Sequence, residues 1–459
     1  MKRSEQKLSL KELKHHARRL SIKEGIFARI KTSLGYHYIA PFAIAIGTSS
    51  PMVALLSSLH GLLGPLSQTW GSKLVEKNTR KKVMWKSILF ETLTWLPMIA
   101  IAILYYFNII ASFLPFFLLL VFAFYTIAGG VSYPAWFSWT GDLVDKEYRG
   151  RWFSKRTTIL SFTGVVFGIG SSFALEYFKK SSNEIFGFII LFALAFLARA
   201  ATLKTIKKQY EPKIKITKND EFTFWEFLKR APKTNFGKMA LFRATLAITT
   251  TITSSLFAIY ILRELKFDYV TYMLITFIPV VFSLFTIDLW GRIGDKYGNY
   301  KVLLITSILI PLIPILFILS TSKLYLILVP SIVVALSWAG FDLSANNFKY
   351  DNVSKEKRAT ATSYYNLIVG IGVFIGAGIG ALGIKYLTIS FMNPILFIFL
   401  IGGILRMIAV LFWIPKIKEV EKKRKMKIPL KEYILKEAKP TLLEEAHEII
   451  SIPKYIEEK

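Results

Sequence analysis

Apolar stretches of about twenty residues follow one another along most of the chain, separated by short basic segments. They are continuous rather than alternating in polarity, so they predict membrane-crossing helices and not barrel strands. Twelve are predicted, at roughly 26–48, 51–72, 84–107, 112–138, 156–178, 184–203, 237–262, 268–291, 301–320, 324–347, 359–384 and 392–414. The first pair is the least separated. Residues 36–70 are nearly unbroken, and Thr48-Ser49-Ser50-Pro51 is the only turn signal among them. A basic N-terminal segment (1–25) precedes a first bundle of six (26–203). A linker (204–236) leads to a second bundle (237–414) and a charged tail (415–459). Within the linker, residues 222–230 set aromatics beside charges, as expected of a short interfacial helix.

Composition agrees with this all-α, polytopic membrane reading. Of 459 residues 53% are hydrophobic and only 19% charged, and the mean hydropathy is +0.45; a soluble enzyme of this length would be less apolar. The net charge of +29 could signal nucleic acid, but its distribution argues otherwise. With twelve helices, one side of the membrane collects 48 of the 59 Lys and Arg, Arg29 and Lys31 being counted with the N-terminal segment. The other side holds six, and five fall within or at the ends of helices. Basic loops stay in the cytoplasm, so both termini are expected there, in a cell membrane, and no nucleic-acid partner is expected. An eleven-helix reading would separate the termini. The N-terminus is charged throughout and does not read as a signal peptide. With no cysteine, the chain has no disulfide, thiolate metal site or cysteine nucleophile.

A repeat divides the chain. GSKLVEKNTRKKV (71–83) and GRIGDKYGNYKV (291–302) each follow an apolar stretch, and Glu76-Lys77 aligns with Asp295-Lys296. DLVDKEYRG (142–150) returns as DNVSKEKRA (351–359). Gly164 and Gly168 return as Gly372 and Gly376, and Arg199 as Arg406. Order and loop position agree each time.

Two six-helix halves with an acid-base glycine turn between helices two and three, repeated between eight and nine, resemble the major facilitator superfamily over residues 26–414. The second turn fits the family's pattern, with Gly291, Asp295, Lys296, Gly298 and Lys301 in place. The first departs from it: Glu76 is the acid, Thr79 stands where the second glycine would be, and one extra residue follows Gly71, while Lys77, Arg80 and Lys81 stay basic. The resemblance implies alternating access by two halves around a site near the midplane. It also makes the turns a cytoplasmic latch, with Arg149 and Arg358 the expected partners of the acids. Such exposed pairs contribute only ~0–1 kcal/mol and can break in each cycle.

Ionisable residues at membrane depth are functional candidates. His37 and His60 fall near the middle of the first two helices, and Glu91 about seven residues into the third. These three are expected on a substrate or proton path, with buried, hydrogen-bonded histidines as the alternative. Asp288, Asp342 and Asn346 lie nearer the basic side and suit gate support or the substrate path. Lys86, Arg199 and Arg243 read as snorkelling cations, and Arg406 shares a structural role with Arg199. The threonine and serine run 249–255 suits a helix that bends or lines a cavity. GIGVFIGAGIG (370–380) reads as helix packing, not a dinucleotide loop.

The expected function is secondary active transport of a small molecule, in or out, coupled to protons, by a monomer among membrane lipids. No cofactor or metal is implied. The five histidines and the acids form no catalytic or metal-spaced cluster, so an enzyme is not expected. A transporter-like sensor, scaffold or lipid-handling protein is the alternative.

Overall fold

The computed structural model describes residues 10–144, 149–212, 223–353 and 358–419. Every regular element among them is helical. In the first part these are α1 (Leu10–Leu34), α2 (Ile39–Ala45), α3 (Ser50–Lys77), α4 (Arg80–Leu93), α5 (Trp95–Tyr106), α6 (Leu114–Leu143), α7 (Arg149–Lys180) and α8 (Glu184–Lys208). The short α9 (Phe224–Arg230) follows, then α10 (Asn235–Ser254), α11 (Phe257–Ile259) and a π-helical turn (Tyr260–Glu264). The last are α12 (Tyr269–Tyr297), α13 (Asn299–Leu309), α14 (Leu312–Leu319), α15 (Lys323–Asn352), α16 (Arg358–Tyr386) and α17 (Pro394–Trp413).

Among the described residues, ten helical segments, starting with Arg80–Tyr106, are long and apolar enough to cross a membrane. The segments α1–α2 and α3 precede them, consistent with twelve passes. The turn between this first pair is real. Gly47 has φ +77, Ser49 is extended, and Ser50-Pro51 opens α3. A residue at φ +77 is in the left-handed region that glycine tolerates, and proline is at home in a first turn.

Proline also explains the broken spans. Pro97 has no N–H for the carbonyl of Leu93, where α4 ends. Pro311 and Pro314 do the same between α13 and α14. The hydroxyl run of α10 ends in a break at Ser255-Leu256. The linker helix forms as expected: Thr223 and Glu226 make a reciprocal capping box at the start of α9.

One boundary differs from expectation. α1 begins at Leu10, so part of the basic N-terminal segment is helix. Its buried Ala17, Ser21 and Glu24 recur at helical spacing and face the core, which the high charge of this stretch concealed.

Contacts divide the chain into two units. Unit 1 comprises residues 1–218, 255–273 and 373–385; unit 2 comprises 219–254, 274–372 and 386–459. In unit 1 the largest buried side chains include Trp95, Trp139 and Phe188; in unit 2, Trp290, Phe242 and Phe341. Outside, large apolar groups stand exposed, among them Phe90 (62%), Phe116 (61%) and Leu411 (66%). Such a surface suits lipid and not water.

Small residues let α3 and α6 meet closely. A Cβ on Gly71 would stand 2.4 Å from the carbonyl oxygen of Val131. One on Gly130 would collide with Ser67. The first glycine of the repeated turn is thus a packing requirement. Gly71→Val is expected to cost about 1–3 kcal/mol in thermal unfolding. Gly141→Ala, where a Cβ meets nothing within 4 Å, should leave the melting temperature unchanged or higher. Equal losses would show that backbone contact is not what Gly71 serves.

Candidate functional site

Three helices of unit 1, α1, α4 and α8, bring charged groups to one buried point, and α6 adds a tyrosine. Glu91, in the last turn of α4, is 2% exposed. Lys31 of α1 donates to its Oε1 at 2.8 Å and to the Tyr125 hydroxyl of α6 at 2.9 Å. Arg199 of α8 donates through Nε to Oε2 at 3.1 Å, and its Nη2 contacts the same oxygen. A second pair lies along α1, where Glu24 meets Arg156 of α7 at 3.5 Å. One carboxylate therefore serves two buried cations. Arginine suits this place because its planar, weakly hydrated guanidinium is tolerated in buried ion pairs.

An aromatic group adjoins this centre. α1 stops at Gly35, where a Cβ would stand 2.2 Å from Trp95. The 3-10 turn Tyr36–Tyr38 follows. Tyr36 lies 6.5 Å from the ring of Tyr125, 6.3 Å from Phe122 and 5.2 Å from His60. Trp95 stands edge-on to Tyr125 at 5.4 Å. A continuous series of contacts thus runs from Glu91 through Lys31, Tyr125 and Tyr36 to His60, whose side chain is exposed. His37 is partly buried against Tyr36.

Four sequence assignments change, those of Arg199, Lys31, Arg406 and Arg243. Arg199 does not snorkel; it pairs with Glu91. Lys31, counted with the topological charges, lies inside α1 and is 7% exposed. Its position five residues into the predicted first helix was the available signal. Arg406, the repeat partner of Arg199, keeps different company. It contacts the Thr253 hydroxyl and donates to the carbonyls of Thr250 at 3.3 Å and Ile310 at 3.5 Å. Pro314 has no N–H for that Ile310 carbonyl, and residues 299–319 contain no acid.

The remaining candidates lie in unit 2. Arg243 does not snorkel either: it reaches Asp342 at 3.3 Å and stacks over Trp338 at 4.8 Å. Asp288 pairs one turn along α12 with Arg292 at 2.8 Å, both about half exposed. Asn346 is exposed. Neighbouring Asn347 donates to Asn299 at 3.1 Å.

At the repeated turns, the side chains of Glu76, Asp295, Arg149 and Arg358 lie outside the described residues. Lys77 and Lys296 are exposed. Arg80 is fully buried. It contacts Asp142 at the end of α6 and donates to the carbonyls of Ser138 at 3.0 Å and Pro212 at 2.7 Å. So the two repeated motifs of the first half meet through an arginine on the turn and an acid on α6.

Two acids outside the expected set stand at matching places. Glu211, past α8, accepts from the backbone N–H of Arg80 at 2.7 Å. Glu419, past α17, accepts from the N–H of Tyr300 at 2.9 Å. Each thus sits at the positive N-terminal end of the helix after a turn, α4 or α13. Their spacing of 208 (419 minus 211) nearly equals the 207 between Arg199 and Arg406, which was the signal to find them. The structure also accounts for Thr79. A single residue, Gly298, joins α12 to α13 at φ +98, in the left-handed region. Two extended residues, Asn78 and Thr79, join α3 to α4, and Thr79 caps α4.

On the side opposite the basic loops, unit 1 includes segments 255–273 and 373–385. Arg263, in the π-helical turn, donates to Ser50 Oγ at 2.7 Å and the Thr48 carbonyl at 2.8 Å. The Tyr269 N–H donates to Glu176 at 3.2 Å, and its hydroxyl contacts Glu184. Ser58 donates to the Phe374 carbonyl at 2.9 Å.

The family model of the Major Facilitator Superfamily matches residues 239–453. Solved structures share the fold of nearly the whole chain. A variant of the nucleoside transporter NupG is 16% identical with a TM-score of 0.64, covering 88% of this chain and 100% of its own. A bacterial homologue of the iron transporter ferroportin, in an inward-facing state, is 16% identical with a TM-score of 0.65, covering 89% and 100%. An auto-inhibited peptide transporter of the POT family is 11% identical with a TM-score of 0.67, covering 89% and 99%. No curated protein matches the chain in sequence.

The geometry predicts unequal costs for removing acids. Glu91→Gln leaves two buried cations without a counter-charge and is expected to cost about 3–5 kcal/mol in thermal unfolding. Asp288→Asn removes a half-exposed local pair and is expected to cost less than about 1 kcal/mol. Similar losses would contradict the placement of Glu91.

Proposed function

We propose that the chain is a member of the major facilitator superfamily, a reading supported by the family match over residues 239–453 and by the shared fold, and that it carries a small molecule across the membrane by alternating access, coupled to protons through Glu91. The observation that carries this reading is the buried Lys31–Glu91–Arg199 centre beside Tyr36, Tyr125 and His60. A carboxylate that neutralises two cations gives a transport cycle something to switch. Protonating Glu91 removes the charge that holds Lys31. Lys31 sits about one helical turn before the 3-10 break, where a changed bond can alter the entry of α1 into the aromatic group. The excess positive charge that follows would attract an anionic or strongly polar cargo.

The basic side is taken as cytoplasmic, with both termini there. Arg263 with Thr48 and Ser50, and Tyr269 with Glu176 and Glu184, then hold segment 255–273 to the first part of unit 1 on the outer side. Arg263, Ser50, Glu176 and Glu184 are partly buried and Thr48 and Tyr269 are buried; these few hydrogen bonds would have to break once per cycle. Arg80 with Asp142 and Glu211 holds the first turn against α6 and the linker, while the acids of the turns serve the cytoplasmic latch.

A panel of nucleosides, peptides and organic ions, scored by thermal shift, first supplies a ligand; uptake into liposomes under an imposed pH gradient then tests the reading. Wild-type protein should accumulate the ligand under the gradient. Glu91→Gln should lose that accumulation yet keep ligand exchange without a gradient. Bridging Arg263→Cys to Ser50→Cys with a bifunctional thiol reagent should stop both activities, in a chain that has no other cysteine. Accumulation by Glu91→Gln equal to wild type would refute the coupling. Absence of flux of every ligand in the wild type would refute transport.

A further inference from the structure

A groove of 630 Å³ opens on the outward face of unit 1, between α4–α5 and α6, with the end of α3 closing its basic-side mouth. Its lining is ordered along the membrane normal. Lys82 and Lys86 stand at the mouth, followed by Phe90 and Pro97 on one wall and Phe124 and Val131 on the other. Lys82, Lys86 and Phe90 recur every four residues and so form one stripe on α4. Phe90 and Phe124 are 62% and 59% exposed. The groove exists for local reasons. The break at Thr94 and Pro97 turns α5 away from α4, and small residues at 128–130 lower the facing wall of α6. The Ser87 hydroxyl bonds the Ala128 carbonyl, so the floor offers a ligand no free polar group there.

The charge at the mouth is uncommitted. Neighbouring cations are engaged: Arg80 with Asp142, Lys81 with the Gln209 carbonyl at 3.0 Å, and Lys207 over the Trp85 ring at 4.7 Å. Among the described residues, neither Lys82 nor Lys86 has an ion pair or a side-chain hydrogen bond. The depth also selects the occupant. From Lys86 to Pro97 is eleven residues, or about 16 Å of helix. That is roughly half of a ~30 Å hydrocarbon core, hence one leaflet.

We propose that this groove is a site for one anionic phospholipid of the basic-side leaflet, its phosphate between Lys82 and Lys86 and one acyl chain between Phe90 and Phe124. Basic pockets between membrane helices recognise acidic headgroups in this way. A neutral amphipath would leave both ammonium groups unpaired, and a free phosphate would leave the apolar walls uncovered. The inference does not depend on the transported cargo. It does bear on α4, which carries the bound lipid on Phe90 and the buried centre on the adjacent Glu91.

The test is native mass spectrometry of delipidated, purified protein after addition of phosphatidylglycerol or phosphatidylcholine of identical chains. Wild type should retain one phosphatidylglycerol in preference to phosphatidylcholine. Lys82→Gln with Lys86→Gln should lower that retention roughly tenfold or more. Lys204→Gln with Lys208→Gln, an exposed pair of the same spacing on α8, should not. Ala128→Phe, which fills the floor while leaving both lysines, should also lower it, and a thermal melt of each variant shows whether it is folded. Equal retention of the two lipids by wild type would overturn the proposal. So would equal losses from the two lysine pairs, or displacement of the lipid by inorganic phosphate.

Discussion

The ion-pair centre at Glu91 is the constraint on which the first half of this molecule depends. Burying one carboxylate and two cations is costly, and the cost is offset only if each finds its partners. Those partners come from α1, α6 and α8, so these helices cannot move independently of α4 without leaving a charge unpaired. Helix breaks serve this geometry. α4 stops just beyond Glu91 because Pro97 leaves the Leu93 carbonyl without its helical donor, and α1 stops at Gly35 to let Trp95 approach. A centre that joins four helices through polar bonds, rather than through apolar packing alone, ties them into one unit.

The second half repeats the scaffold without the charge balance. Arg406 keeps the place of Arg199, but neutral oxygens from Thr250, Thr253 and Ile310 receive it. One of these is the Ile310 carbonyl in the break between α13 and α14, which Pro314 leaves without its usual donor and which also accepts from the Ile313 N–H at 3.3 Å. Elsewhere the halves match more closely. Glu211 and Glu419 each close the start of the helix after a turn, by the same backbone bond. Among the described residues only the first half holds a fully buried ion-pair centre, which suits a division between a switching side and a supporting side.

Much of this was legible in the sequence, because membrane burial is written in long apolar runs and the repeat in matched turns. Gly298 and the Thr48–Pro51 break were legible, each having a local backbone cause, and Gly71 was legible from the repeated turn, although what it serves is contact with α6. Glu91 was legible as a deep acid. Its partners were not, since Lys31 sits within a run of basic residues and a topological reading absorbed it. Arg199 and Arg243 lie near helix ends, where snorkelling and pairing leave the same one-dimensional pattern. Only the packing of other helices distinguishes them. The inward turn of Arg80 was hidden for a related reason: its acid, Asp142, lies 62 residues away, in the second repeated motif. Two motifs that recur together are candidates for contact with each other, and that inference was available from the repeat alone.

The most direct test of the centre is a double-mutant cycle on unfolding stability with Glu91→Gln, Arg199→Met and the pair combined. If Glu91 and Arg199 form one buried ion pair, the two should be coupled by at least about 1–3 kcal/mol. The combined variant, with Lys31 as its only remaining charge, should then be more stable than Glu91→Gln alone. Additive losses, or a combined variant weaker than either single one by their sum, would contradict the account.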